Sequence, residues 1–223
     1  MPEKQMSITK WQYLLILFLE GFASVSFQII TIRQLTEFVG SSTHPVSLTV
    51  GLFLGALSLG YYRGGKIIEQ DQILREMRRN FLISALLIGI GFSTMFLKTV
   101  LGDMGWGSFY ESLPYLTAFL LVMMCPAVYL MAKTVPLLSN YVTSSHNGYA
   151  AGLSMSISTV GSVAGSILTS ILFFLVFGVS ATLQIVVVAL IILAFLCDRK
   201  KLSTYIISSL IFWRNILAQY HLR

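Results

Sequence analysis

Residues 151–197 read AGLSMSISTVGSVAGSILTSILFFLVFGVSATLQIVVVALIILAFLC, without one Asp, Glu, Lys, Arg or His. A helix needs about 17–25 mostly apolar residues to cross the hydrocarbon layer of a bilayer. This stretch is long enough to cross twice, as spans over 151–177 and 179–197. A transmembrane barrel is excluded, because its strands would show short alternating segments instead of unbroken apolar runs.

Working outward, four further runs read as spans, at 12–32, 46–62, 81–101 and 113–132. The second is short and glycine-rich. The composition agrees with a membrane chain: of 223 residues, 56% are hydrophobic and 11% charged, and the mean hydropathy is +0.79. Soluble domains carry about 25% charged residues, so a soluble enzyme, a disordered chain and a disulfide scaffold are all excluded. The expectation is an all-α polytopic bundle of about six transmembrane helices over 1–198, with a basic tail over 199–223. Within that tail, Tyr205 to Trp213 is too short to span and reads as an amphipathic helix on the membrane surface. Lys4 and Lys10 before the apolar run Tyr13–Leu19 resemble the start of a signal peptide. Glu20 interrupts that run and no cleavage site follows, so the first segment is expected to be retained.

The net charge of +6 matters through its distribution and is no nucleic-acid footprint. With six spans, Lys4, Lys10, Arg63, Lys66, Arg75, Arg78, Arg79, Lys133, Arg199, Lys200, Lys201, Arg214 and Arg223 share one side. Only Arg33 and Lys98 lie on the other. The positive-inside rule then places both termini in the cytoplasm. In the 63–80 loop, Glu76 is placed to pair with Arg75 and Arg79 on a short helix. Arg75, Arg78 and Arg79, with Trp213 and Arg214 in the tail, are candidates for docking a partner or anionic lipid.

Ionisable groups inside a bilayer cost about 2.5–3.5 kcal/mol each on insertion scales and need a reason. Glu20 is the clearest case. At helical spacing Glu20, Ser24 and Gln28 share a face, with Thr31 beside it. Two readings stand: an interhelical hydrogen-bond seam, or a site for a cation, a proton or an amine. Arg33 and Glu37, four apart near the outer end of the first span, are expected to pair.

Small residues recur at close to four-residue spacing: Gly51, Gly55 and Gly60 in the second span, and Gly152, Ser156, Gly161 and Gly165 in the fifth. Such faces let helix backbones approach closely. Pro126 and Pro136 are placed to bend the fourth span.

The catalytic inventory is bare. No zinc, haem, nucleophile-elbow or nucleotide-loop motif is present, Cys125 and Cys197 suggest buried inert thiols, and His44 and His146 fall in opposite loops. No metal and no cofactor is expected, and no enzymatic activity.

Several of these stretches together resemble a family. Glu20, Arg33, Gly40-Ser41-Ser42, GLFLGALSLGYYRGGK over 51–66, Pro126 with MAKTVPLL over 131–138, AGLSMSISTVGSVAGSILTS over 151–170 and GVSATL over 178–183 follow one another. Over about residues 12–196 the chain resembles the membrane domain of the spermidine synthase-like integral membrane proteins, described as fused transporter/spermidine synthases. The resemblance implies six helices, comparable to half of a major-facilitator fold, and a bacterial inner membrane. The family's membrane domain is usually followed by an aminopropyltransferase domain. Residues 199–223 hold no such domain, so a membrane domain without that activity is expected. The family often carries an acid one turn before its arginine, where this chain has Gln28-Ile29.

Two functions follow as expectations. One is a non-enzymatic membrane subunit that packs into or scaffolds a larger complex, with lipid and protein as its partners and no nucleic acid. The other is a small dimeric transporter or binding protein for a cationic, polyamine-like solute. The surroundings of Glu20 separate them: a wet cavity for a solute site, a hydrogen bond between helices for packing.

Overall fold

The computed structural model describes residues 9–40, 43–102, 109–142 and 147–197. The tail with Trp213 and Arg214, and His146, lie outside these residues. The described chain is a bundle of helices, five of them long and apolar enough to cross a membrane, or six when a bent pair counts as one span.

The first helix, α1, runs Lys10–Val39. Thr9 and Gln12 form a reciprocal capping box at its start, and Gly40 ends it at a φ of 78°, where a side chain would be strained. Next come α2 (Thr43–Gly64) and α3 (Gln70–Gly91). The stretch read as a loop over 63–80 is therefore largely helix. It carries the expected pair, Arg79 to Glu76 at 2.5 Å, on a half-exposed surface where such pairs contribute little.

The third span is broken. Beyond Phe92 and Ser93 the chain restarts as α4 (Thr94–Leu97) and continues as a π-helical turn over Lys98–Gly102, bent by 53° from the preceding helix. Ser93 caps the restart by accepting from the Phe96 amide at 3.3 Å, and Gln34 of α1 donates to the Phe92 carbonyl at 3.0 Å. Both bonds satisfy backbone groups that a break in lipid would otherwise leave open. The Phe92 ring meets Phe27 edge-on at 4.8 Å and Phe119 at 5.5 Å, so an aromatic cluster anchors the bend.

The fourth span, 113–142, is interrupted twice. α5 (Phe109–Phe119) passes through a π-helical turn over Leu120–Met124 into α6 (Cys125–Ala132), and α7 (Thr134–Val142) follows a break at Lys133. The interruptions fall where Pro126 and Pro136 withhold the N–H groups of a regular ladder. α8 (Asn147–Ile167) leads through a third π-helical turn to α9 (Phe174–Val176), and Gly178, at a φ of 76°, turns the chain into α10 (Gly178–Cys197).

α1 is the centre of the bundle. It packs most extensively on α8 and also touches α10 and α2, while α3 packs on α10 and α6, and α2 on α6. Tyr13 meets Ser154, Glu20 meets Ser158 and Ser26 meets Thr169. Both numbers rise together, so α1 and α8 run parallel, as a first and a fifth span must when crossings alternate.

Candidate functional site: the polar seam of the first helix

Tyr13, Glu20, Ser24 and Thr31 fall within about 40° of one another on a helix of 3.6 residues per turn. All four are buried. The lower half of this stripe is closed by α8. The Tyr13 hydroxyl and Ser154 Oγ share a hydrogen bond at 2.6 Å, and Ser158 Oγ donates to Glu20 Oε2 at 2.9 Å. Glu20, only 1% exposed, is thus hydrogen-bonded between two helices. Higher up, Ser24 Oγ and Thr31 Oγ have no hydrogen-bond partner among the protein atoms.

Close backbone approach makes these bonds possible. A Cβ on Gly21 would collide with the Ser158 carbonyl, and one on Gly161 with the Phe18 carbonyl; one on Gly165 would lie 2.5 Å from the Phe22 carbonyl oxygen. Ser162 donates to the Gly21 carbonyl at 3.2 Å, and Ser26 to that of Gly165 at 3.4 Å. Gly21 was not singled out in the sequence, and among the α8 serines the reading favoured Ser156, which faces outward, over Ser158 and Ser162 beside it. Their signal was Gly21 beside Glu20 and the serine and alanine frame of α8.

The residues expected to form one polar site do not converge. Glu20 and Ser24 are buried, Gln28 is half-buried and Arg33 is exposed. Arg33 follows Glu20 by thirteen residues, which places it about 20 Å away along the axis and on the opposite side of the helix. No ion pair joins Arg33 to Glu37; both side chains point outward.

The expected packing residues also divide. Gly60 meets Ala132 and the Tyr129 carbonyl, where an added Cβ would approach to 2.5 and 2.7 Å, and Gly161 and Gly165 form the seam above. Gly51, Gly55 and Gly152 have nothing within 4 Å of the place a Cβ would take, and Ser156 is exposed. The reason is register. α2 buries Thr49, Phe53, Ala56, Gly60 and Gly64, while α8 buries Ala150, Ser154, Ser158, Gly161 and Gly165, a frame continued by Thr169 in the following turn. Gly51, Gly55, Gly152 and Ser156 each sit two residues off these frames, about 200° around the helix.

Of the docking candidates, Arg75 and Arg79 are exposed on the first turns of α3 and Arg78 is half-buried there. Cys125 and Cys197 are free thiols, and no group of three His, Cys, Asp or Glu side chains that could hold a metal occurs among the described residues. Compared with protein families, with curated proteins and with solved structures, the chain matches none.

Proposed function

We propose that the chain is a non-enzymatic integral membrane subunit, which packs into or scaffolds a larger inner-membrane complex. The observation that carries this reading is the contrast between helices. The membrane window of α1 is 56% buried, whereas those of α2 and α8 are 28% and 17% buried. The outward faces of these two helices present Gly51, Gly55 and Ser58, and Gly152, Ser156 and Thr159. Small residues in a membrane permit close approach of another helix and offer little to lipid tails. The hydrogen bond of Glu20 to Ser158 supports packing over a solute site, since the carboxylate is spent between helices. The resemblance to spermidine synthase-like membrane domains belongs to this reading.

Native mass spectrometry of protein extracted gently from its own membranes tests it. Stoichiometric partner polypeptides are expected, and Gly55→Leu with Gly152→Leu should release them while the isolated chain keeps its fold. A dimer without other polypeptides, carrying a small amine, would overturn the subunit reading in favour of transport.

The charge distribution carries the orientation, with both termini in the cytoplasm. In a background lacking Cys125 and Cys197, Lys66→Cys should resist a membrane-impermeant maleimide in intact cells, and Lys98→Cys should react. The reverse pattern would invert the topology.

A further inference from the structure

A second polar line runs through the bundle on α3. Glu76, Asn80 and Ser84 recur at four-residue intervals and face α6 and α7. Two contacts fix the register: Ser84 Oγ donates to the Ala127 carbonyl at 3.0 Å, and Lys133 Nζ lies 3.9 Å from Glu76 Oε2. Asn80 sits midway along α3 between these anchors, one turn from each, on the stretch that runs along the end of α6, where Met131 lies just before the joint of α6 and α7. Thr134 is the first residue after that joint.

The groups bracketed there are costly. Asn80 and Thr134 are both 0% exposed. Neither Oδ1 nor Nδ2 of Asn80, nor Oγ1 of Thr134, has a hydrogen-bond partner among the protein atoms, and Glu76 Oε2 has only Lys133 beyond hydrogen-bond range. Each buried unpaired group costs about 1–3 kcal/mol. The backbone adds to the demand, since Pro136 has no N–H to give the carbonyl of Ala132. Four unpaired atoms on the facing turns of α3 and the start of α7 are a load that calls for polar partners inside a membrane.

We infer that Asn80, Thr134 and Glu76 hold a buried cluster of bound water at the joint of α3, α6 and α7. The chemistry of the set selects water. Asn80 Nδ2 donates, Asn80 Oδ1 and Glu76 Oε2 accept, and the Thr134 hydroxyl does both, which is the mixture a water with two to four partners satisfies. A cation would meet the ammonium of Lys133, and an anion the carboxylate of Glu76. The cluster turns the break at Lys133 into a hydrated joint within an otherwise apolar seam.

Synchrotron hydroxyl-radical footprinting tests this, because water bound in a protein interior is activated in place and labels the side chains beside it. Met131 and Met124 lie two turns apart on the fourth span and both are 0% exposed. Met131 should be oxidised several-fold faster than Met124. In the Asn80→Leu, Thr134→Val double variant its rate should fall to that of Met124. Equal slow rates at the two methionines in the unmodified protein would overturn the proposal, and so would an unchanged Met131 rate in a double variant that remains monodisperse. The comparison within the unmodified protein decides the matter even when the double variant does not fold.

Discussion

Gly161→Ala will lower the melting temperature in detergent by about 4–8 °C, while Gly152→Ala, nine residues earlier on the same helix, will leave it unchanged or raise it. Both substitutions gain the same helix propensity, about 1 kcal/mol in favour of alanine. They differ only in what the new methyl meets. At Gly161 it lands on the carbonyl of Phe18, a backbone atom of α1 that moves only if the helices part. Overpacking of this kind costs about 1–3 kcal/mol and more where backbone must shift. Parting α1 from α8 also stretches the bonds from Ser158 to Glu20 and from Ser162 to Gly21, so the upper end of that range applies. In a domain of this size each kcal/mol moves the midpoint by about 2–4 °C. At Gly152 nothing lies within 4 Å. Thermal unfolding followed by size-exclusion chromatography reads both variants, and equal shifts would show that the α1–α8 seam is not the tight contact described.

Ser158→Ala will destabilise the protein by about 2 kcal/mol, and most of that loss will disappear when Glu20 is already leucine. The serine hydroxyl donates to a carboxyl group that is 1% exposed, and leaving a buried acceptor without its donor costs about 1–3 kcal/mol. Removing the donor strands the acceptor in an apolar seam, whereas removing both leaves an apolar contact. A double-mutant cycle between Glu20→Leu and Ser158→Ala should therefore show strong coupling. Additive effects would mean that Glu20 finds its stabilisation elsewhere. Glu20→Gln keeps an acceptor oxygen for Ser158 and should leave both the fold and assembly with partners intact. Loss of a solute-uptake activity in that variant, with assembly preserved, would move the function to transport.

Much of the fold was legible because length and hydropathy report directly on bilayer crossing. The spans over 151–177 and 179–197 correspond to α8 with its continuation and to α10. The first span is found somewhat longer than read, because Arg33 and Glu37 continue the helix to Val39 on its outer face. The third is bent at Phe92 and Ser93; Gly91 and the Ser93 cap are local signs of a break, but its stability depends on Gln34 reaching across from α1 to the freed carbonyl. Glu20 stood out as a charge with no apolar excuse. Its partner did not, because Ser158 is one of several serines on α8 and only the parallel packing of the two helices chooses it. Asn80 was equally hidden, since it was assigned to the end of a loop and is instead buried on α3.

The amino-acid pattern alone determined that this chain is a bundle of membrane-length helices, that Glu20 needs a polar partner, and that small residues bring some of the helices close. It did not determine which faces meet. In a soluble bundle the inward face is the apolar one, but here lipid makes the outward face apolar too, so hydropathy loses its direction around the helix. Gly152 and Ser156 offer one frame on α8, and Ser154, Ser158, Gly161 and Gly165 offer another, with no difference in size or polarity to choose between them. Only the tertiary structure decides, because the choice rests on where the carbonyls of Phe18 and Phe22 arrive from α1, and on the hydroxyls that must be there to meet Glu20.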